Sequence, residues 1–141
     1  MNQISESRIM GIDYGEVRIG IALSDPLHKF AYPFTTLKND SLLLKKLKEI
    51  IVDKSVSKII LGLPSSNFIS SKKIAEQVHK FKINIESENN IEVTLWDEEY
   101  SSAIAKEKII ESVTKKSKRR NKEILDSYSA AIILQEFLDG R

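Results

Sequence analysis

Residues Ile9 to Ile12 form a short apolar run that ends on a carboxylate, Asp13, with Gly15 two residues further on. The next stretch alternates. Val17, Ile19, Ile21 and Leu23 project one way, and Arg18, Gly20, Ala22 and Ser24 the other. A period of two marks a half-buried strand. Together the two runs predict a β-hairpin that holds an acid at the end of its first strand. Asp25-Pro26-Leu27-His28-Lys29 reads as a turn. Phe30 to Thr36 then returns as a third strand, with Pro33 marking an edge or a bulge. Asn39-Asp40-Ser41 supplies helix N-cap residues, and Leu43, Leu47, Ile50 and Ile51 follow at helical spacing. The opposite face of that helix, Lys45, Lys46, Lys48 and Glu49, is polar and predicts solvation.

Lys58-Ile59-Ile60-Leu61-Gly62-Leu63-Pro64 is a continuous apolar run stopped by proline, the pattern of a strand covered on both faces, as in a parallel sheet. Ile74, Val78, Phe81 and Ile85 mark one stripe of a long helix that Asn89-Asn90 ends. Ile91, Val93 and Leu95 alternate with Glu92, Thr94 and Trp96 in a further strand, which runs directly into Asp97-Glu98-Glu99. Ser101 or Ser102 caps a helix reaching about Ile110. The final element, Glu123 to Leu138, is helical and apolar around most of its circumference, which implies burial. Three meandering strands followed by helix–strand–helix–strand–helix–helix predict an α/β layered architecture. At 141 residues, without repeats or low-complexity linkers, the expectation is a single domain spanning 1–141.

Composition narrows the chemistry. Hydrophobic residues at 41% and charged residues at 30% describe an ordinary globular protein. No apolar run approaches the ~20 residues needed to cross a bilayer, and residues 1–8 lack the features of a signal peptide, so a cytoplasmic location is expected and no membrane partner. There is no cysteine, which removes thiolate nucleophiles and sulfur-ligated metal sites. Only His28 and His79 are present, so any metal must be held by carboxylates and be a hard cation, Mg²⁺ or Mn²⁺.

Three carboxylates stand at element ends. Asp13 closes the first strand, Glu98 follows the strand containing Trp96, and Asp126 falls in the first turn of the last helix. Ala130, Ile133 and Phe137, at i+4, i+7 and i+11 from Asp126, place it on an apolar stripe. A carboxylate there is costly unless paired or bound to a metal. In open α/β sheets functional groups gather at the carboxyl ends of strands, and three acids so close would repel unless a divalent cation neutralised them. The blander readings are an ordinary Asp turn at Asp13 and a helix cap or dipole position at Asp126. Asp97 reads as a supporting acid that bonds backbone at the strand end. Between positions 115 and 122, six of eight residues are Lys or Arg. That run is either a solvated loop or an arm that grips a polyanion through Lys115, Lys116, Lys118, Arg119 and Arg120. Arg8, Arg18 and the lysines of the first helix extend the second reading, and Gly11, Gly15 and Gly20 would admit a phosphate backbone closely.

These residues, in this order, resemble the YqgF family of Holliday-junction-resolvase-like proteins, also described as pre-16S rRNA nucleases. The resemblance spans nearly the whole chain: Gly11-Ile12-Asp13-Tyr14-Gly15, Arg18-Ile19-Gly20, Ser24-Asp25-Pro26, Pro33, Gly62-Leu63-Pro64, Asp97-Glu98, Asp126, Ala130-Ala131, Ile133-Leu134-Gln135 and Leu138-Asp139. It implies a ribonuclease-H-like fold, a five-stranded mixed sheet with strands 1–3 antiparallel and helices flanking it. It also implies a divalent-metal nuclease centre built from Asp13, Glu98 and Asp126. Two departures stand out. Glu99 occupies a position where the family usually has Arg, and Ser65-Ser66-Asn67-Phe68-Ile69-Ser70-Ser71 replaces an Asp-Gly pair usual after Gly-Leu-Pro.

The expected chemistry is phosphodiester hydrolysis supported by one or two Mg²⁺ or Mn²⁺ ions, ~3.5–4 Å apart if paired. The partner is then nucleic acid: pre-16S rRNA, with ribosomal particles as its setting, or a four-way DNA junction in recombination and repair. Junction cutting by paired nicks favours a symmetric homodimer over a monomer. A rival of another class is a nucleic-acid-binding module without catalysis, with Glu99 and the altered loop as signs of lost activity. An actin-like ATPase also uses an Asp-x-Gly turn, but the chain is too short for a two-lobed cleft and has no P-loop.

Overall fold

The computed structural model describes residues 6–63, 69–97 and 122–140. Along the chain the elements are β1 (Arg8–Asp13), β2 (Arg18–Ser24), β3 (Ala31–Lys38), α1 (Leu43–Asp53), β4 (Val56–Leu63), α2 (Ile69–Asn89), β5 (Glu92–Asp97) and α3 (Lys122–Gly140). The strands form one sheet in the order β3-β2-β1-β4-β5. β1, β2 and β3 pair antiparallel, while β4 runs parallel to both β1 and β5. This is the mixed five-stranded arrangement expected. The helix expected from Ser101 to Ile110 lies outside the described residues, as do Lys115, Lys116, Lys118, Arg119 and Arg120.

Each face of the sheet has its own core. Met10, Ile12, Ile19, Ile21, Leu23, Ile59 and Leu61 pack with Leu43, Leu47 and Ile51 of α1 and Val78, Phe81 and Ile85 of α2. On the other face Ile9, Ala22 and Ile60 pack with Ala130, Ala131, Ile133, Leu134 and Leu138 of α3. The helical stripes read from spacing are therefore the buried ones. The α1 lysines at 45, 46 and 48 are exposed, as expected.

β2 departs from the half-buried expectation. Gly20, Ala22 and Ser24 face α3, and Ala22 and Ser24 are fully buried, so the strand is covered on both sides. Alternation suggested an open face because those residues are small or polar; they are small because a helix lies against them. Ser24 satisfies its hydroxyl locally: Oγ accepts from Ile9 N–H at 2.9 Å and donates to the Asp25 carbonyl at 2.9 Å. Val17, expected on the buried stripe, lies before the strand and is 69% exposed. β3 is an edge strand, and its register against β2 slips where Ala22 meets Pro33, so Pro33 marks both the edge and the bulge.

The helix boundaries are local chemistry. Leu42, rather than Asn39, Asp40 or Ser41, occupies the N-cap of α1, and Asp40 Oδ1 accepts from Leu42 N–H at 3.0 Å. Asn90, with φ 49°, ends α2 in the left-handed region that asparagine tolerates. Glu86 takes hydrogen bonds from Lys82 Nζ at 3.1 Å and Val93 N–H at 3.2 Å, tying α2 to β5. These bonds, the lysine's foremost, hold its carboxyl below the ordinary value. Gln135 pins α3 to the start of β3, accepting from Ala31 N–H at 2.8 Å and donating to the Lys29 carbonyl at 3.0 Å.

Candidate active site at the carboxyl edge of the sheet

Because β1, β4 and β5 are parallel, Asp13, Leu63 and Asp97 close their strands at the same edge. Asp13 pairs with Gly20 across the hairpin. Directly opposed residues in an antiparallel pair project to one face, and Gly20 faces α3. The Asp13 side chain therefore leaves the sheet on the α3 side, two residues beyond Gly11, which also faces α3.

What brings Asp126 to this edge is the absence of side chains beneath α3. A Cβ at Gly20 would run into the backbone carbonyl of Asp126 itself. A Cβ at Gly11 would stand 2.7 Å from Leu134 Cβ and 2.9 Å from the Ala130 carbonyl oxygen. The two glycines serve helix packing, which corrects the expectation that they admit a phosphate backbone: α3 occupies that space. Ser127, Ser129, Ala130 and Ala131 are buried and small, which lets the helix come close. α3 begins at Lys122, so Asp126 sits one turn inside rather than in the first turn, and its position is not a cap.

Asp126 is ion-paired. Arg18 Nε donates to Asp126 Oδ2 at 2.8 Å, with the two side chains 31% and 29% exposed. Arg18 opens β2 at the same edge. Oδ2 is the carboxylate oxygen that engages the arginine. At this exposure the pair contributes ~1 kcal/mol or less to stability. Its consequence is geometric, since it fixes the Asp126 carboxylate at the strand edge.

The remaining expected residues fall differently. Asp97 pairs with Leu63, and both lie two residues beyond Leu95 and Leu61, which puts them on the same α1–α2 face. Asp97 is thus two strands from Asp13, roughly 10 Å by strand spacing, and on the opposite side of the sheet. Glu98 lies outside the described residues. Among the described residues no group of three His, Cys, Asp or Glu side chains is gathered for a metal. Asp13 and Asp126 are hard oxygen donors on one face of one edge, and that donor chemistry fits a hard divalent cation. Arg8, expected to extend a basic surface, begins β1 at the far edge. Its Nη1 donates to the Ser24 carbonyl at 2.9 Å and to Tyr32 Oη at 3.1 Å, so it braces the sheet.

Two features were not read from the sequence. One is that Gly20 seats the α3 backbone at Asp126; the available signal was a glycine interrupting a β-branched and aliphatic strand opposite the candidate acid. Asn39 also shapes this edge: its Nδ2 donates to the Gly15 carbonyl and its N–H to the Val17 carbonyl, both at 2.9 Å. It clamps the β1–β2 turn to the start of the α1 segment.

Known proteins share this architecture and sequence. A family profile described as "RuvX: Holliday junction resolvase" matches residues 7–140. A protein of Endomicrobium trichonymphae named "Putative pre-16S rRNA nuclease" is 44% identical over 135 residues, covering 94% of this chain and 96% of that protein. One of the same name from Syntrophomonas wolfei is 38% identical over 135 residues, covering 94% of each chain. Among solved structures, Thermus thermophilus RuvC in complex with a Holliday junction substrate superposes with TM-score 0.60 at 13% identity, covering 96% of this chain and 95% of that one. At that identity the likeness shows a shared ribonuclease-H-like fold. Nucleases of this class depend in general on divalent metal ions and bind nucleic acid. With the profile match covering nearly its whole length, the chain belongs to the RuvX family of Holliday-junction-resolvase-like hydrolytic nucleases.

Proposed function

We propose that this chain is a Mg²⁺- or Mn²⁺-dependent endonuclease that matures the 5′ end of pre-16S rRNA in the cytoplasm, acting as one nuclease domain over 1–141. The observation that supports the reading is that Asp13 pairs with Gly20 at the carboxyl edge of the sheet, and the Asp126 backbone rests on that same glycine. Relatives that match over nearly their full length and carry that substrate in their name support the choice of polymer. Asp13, Glu98 and Asp126 would hold the metal, which would supply activated water and charge stabilisation at the scissile phosphate. Arg18 keeps Asp126 oriented through Oδ2 and sits where an incoming phosphate passes. Lys115, Lys116, Lys118, Arg119 and Arg120 provide backbone affinity, and Asp97 supports the strand end from the other face. Ribosomal particles are then the partner, and a monomer suffices. No described helix is long and apolar enough to cross a membrane.

The family description favours a second reading, resolution of four-way DNA junctions by a homodimer. End-labelled pre-16S rRNA precursor and a four-way junction, incubated side by side with Mg²⁺ or Mn²⁺, separate the two. Precursor cleavage at one 5′-proximal position, abolished by EDTA, is expected. Paired symmetric nicks in the junction with the precursor left intact would replace this reading by the second. Binding of both polymers that survives Asp13→Asn, without cleavage in Mn²⁺ by any form, would leave a binding module only.

A further inference from the structure

A second cleft opens on the other side of the same strand end. Tyr14 follows Asp13 directly, so their Cα atoms are ~3.8 Å apart, yet alternation sends its ring to the α1–α2 face. There it meets Phe81 of α2 at 5.4 Å between ring centroids, tilted by 54°. The two rings line a cavity of about 320 Å³ between the segment leading into α1 and the middle of α2. That volume is at the small end of ligand sites, roughly 300–1,000 Å³. Leu43 and Leu44 of α1 complete the apolar wall, and polar groups stand at Asp40 on one side and at Gln77, Lys80 and Asn84 along one stripe of α2 on the other. Gln77 Oε1 is buried and has no hydrogen-bond partner among the described residues. A buried acceptor left unpaired costs ~1–3 kcal/mol, a cost that a ligand donor would relieve. The cleft is also held open by built contacts, since Asn39 fastens its rim to Gly15 and Asp40 fastens its own loop to Leu42.

Aromatic walls with amide groups at the edge are the chemistry by which proteins take unpaired nucleobases: rings stack on the base and amides read its hydrogen-bonding edge. A lysine at the mouth suits the accompanying phosphate. We propose that this cleft seats an unpaired base of the substrate, on a nucleotide adjoining the phosphate held at Asp13, with Gln77 Oε1 accepting from the base. The proposal rests on the nuclease reading and sharpens it: the polymer must present an unpaired nucleotide beside the cut, because a base within an uninterrupted duplex does not reach the cleft.

The test uses fluorescein-labelled single-stranded RNA oligonucleotides spanning a mapped cut, each carrying one abasic nucleotide, with binding read by anisotropy in EDTA. For the wild type, one abasic position next to the cut should weaken binding at least about fivefold, the low end for one base–aromatic stack. In Tyr14→Leu and in Gln77→Leu that position should lose its effect, while abasic nucleotides elsewhere behave as in the wild type. Gln77→Leu guards against a folding artefact, since removing an unpaired buried acceptor should leave the melting temperature unchanged or raised while base discrimination falls. Equal abasic effects in wild type and both variants, or no sensitive position, would overturn the proposal while metal-dependent cleavage still stood. A wild type that neither binds nor cuts any RNA would remove the rRNA-maturation reading, and the proposal with it. Protection of the cleft by a free nucleoside monophosphate, without any abasic effect, would assign it to a separate nucleotide and overturn the substrate-base assignment.

Discussion

On one face of the sheet Met10, Ile12, Ile21 and Leu61 bury large side chains against α1 and α2; on the other, Gly11 lies against Leu134 and the Ala130 carbonyl of α3, and Gly20 against the Asp126 backbone. Each large aliphatic side chain on the first face contributes ~1.5–3 kcal/mol by burial. The second face buries Ile9, Ile60, Ile133, Leu134 and Leu138 as well, but it sets glycine where α3 crosses β1 and β2. In return its helix backbone comes down onto the strand, and the residue whose carbonyl rests over Gly20 is Asp126. Both faces thus carry stability, and the α3 face carries position as well. A site that joins an acid on a strand to an acid on a helix needs the second kind of packing.

If this division holds, substitutions on the two faces should separate stability from activity. The largest effects belong to the acids. Asp13→Asn, Glu98→Gln and Asp126→Asn should each lower the Mn²⁺-supported cleavage rate by more than the ~10–100-fold typical of residues that only support a metal ligand, with melting temperatures near wild type. Next come the two faces directly. Leu47→Ala, a cavity under α1, should cost ~2–5 kcal/mol in urea unfolding and leave the rate per folded molecule nearly unchanged. Gly20→Ala should cost ~1–3 kcal/mol by overpacking, yet lower the rate by up to ~100-fold, because displacing Asp126 by an ångström is enough. A Gly20→Ala enzyme of full activity would break the comparison. Arg18→Gln is milder: stability should fall by ~1 kcal/mol or less, and the slope of log affinity against log salt should drop by about 1 if Arg18 meets a phosphate.

The smallest effect lies at the far edge, where Asp25 Oδ1 accepts from Lys29 N–H and Phe30 N–H, both at 2.8 Å. The Phe30 bond foremost holds its carboxyl below the ordinary carboxylate value. A depressed folded value means that its stabilising contribution is present above the unfolded value and is lost as pH falls through the folded one. Asp25→Asn should therefore flatten the dependence of melting temperature on pH below about 4, leaving neutral-pH cleavage unchanged.

The large-residue face was legible from the sequence because its signals are local. Leu43, Leu47 and Ile51, or Val78, Phe81 and Ile85, announce themselves by spacing, and the alternation from Ile19 to Leu23 announces its strand. The α3 face was harder to read for the same reason in reverse. Glycine, alanine and serine look like an open surface until the helix that covers them, more than a hundred residues later in the chain, is in place. The ion pair of Arg18 with Asp126 spans 108 positions and has no local signature; residue type alone made Arg18 a ligand for nucleic acid. Strand alternation did foretell Asp13 at its strand end. It did not reveal that Asp97 takes the opposite face, which follows only from the β4–β5 register.

We propose that Asp13, which pairs with Gly20, and Asp126, whose backbone rests on Gly20, form one metal site. Titration of Mn²⁺ into the wild type, Asp13→Asn and Asp126→Asn, with free Mn²⁺ followed by electron paramagnetic resonance, addresses it without requiring a substrate. Each substitution should weaken the same binding event by at least about tenfold. Mn²⁺ affinity that is lost in Asp13→Asn but unchanged in Asp126→Asn would contradict the account, leaving Asp126 as nothing more than the partner of Arg18.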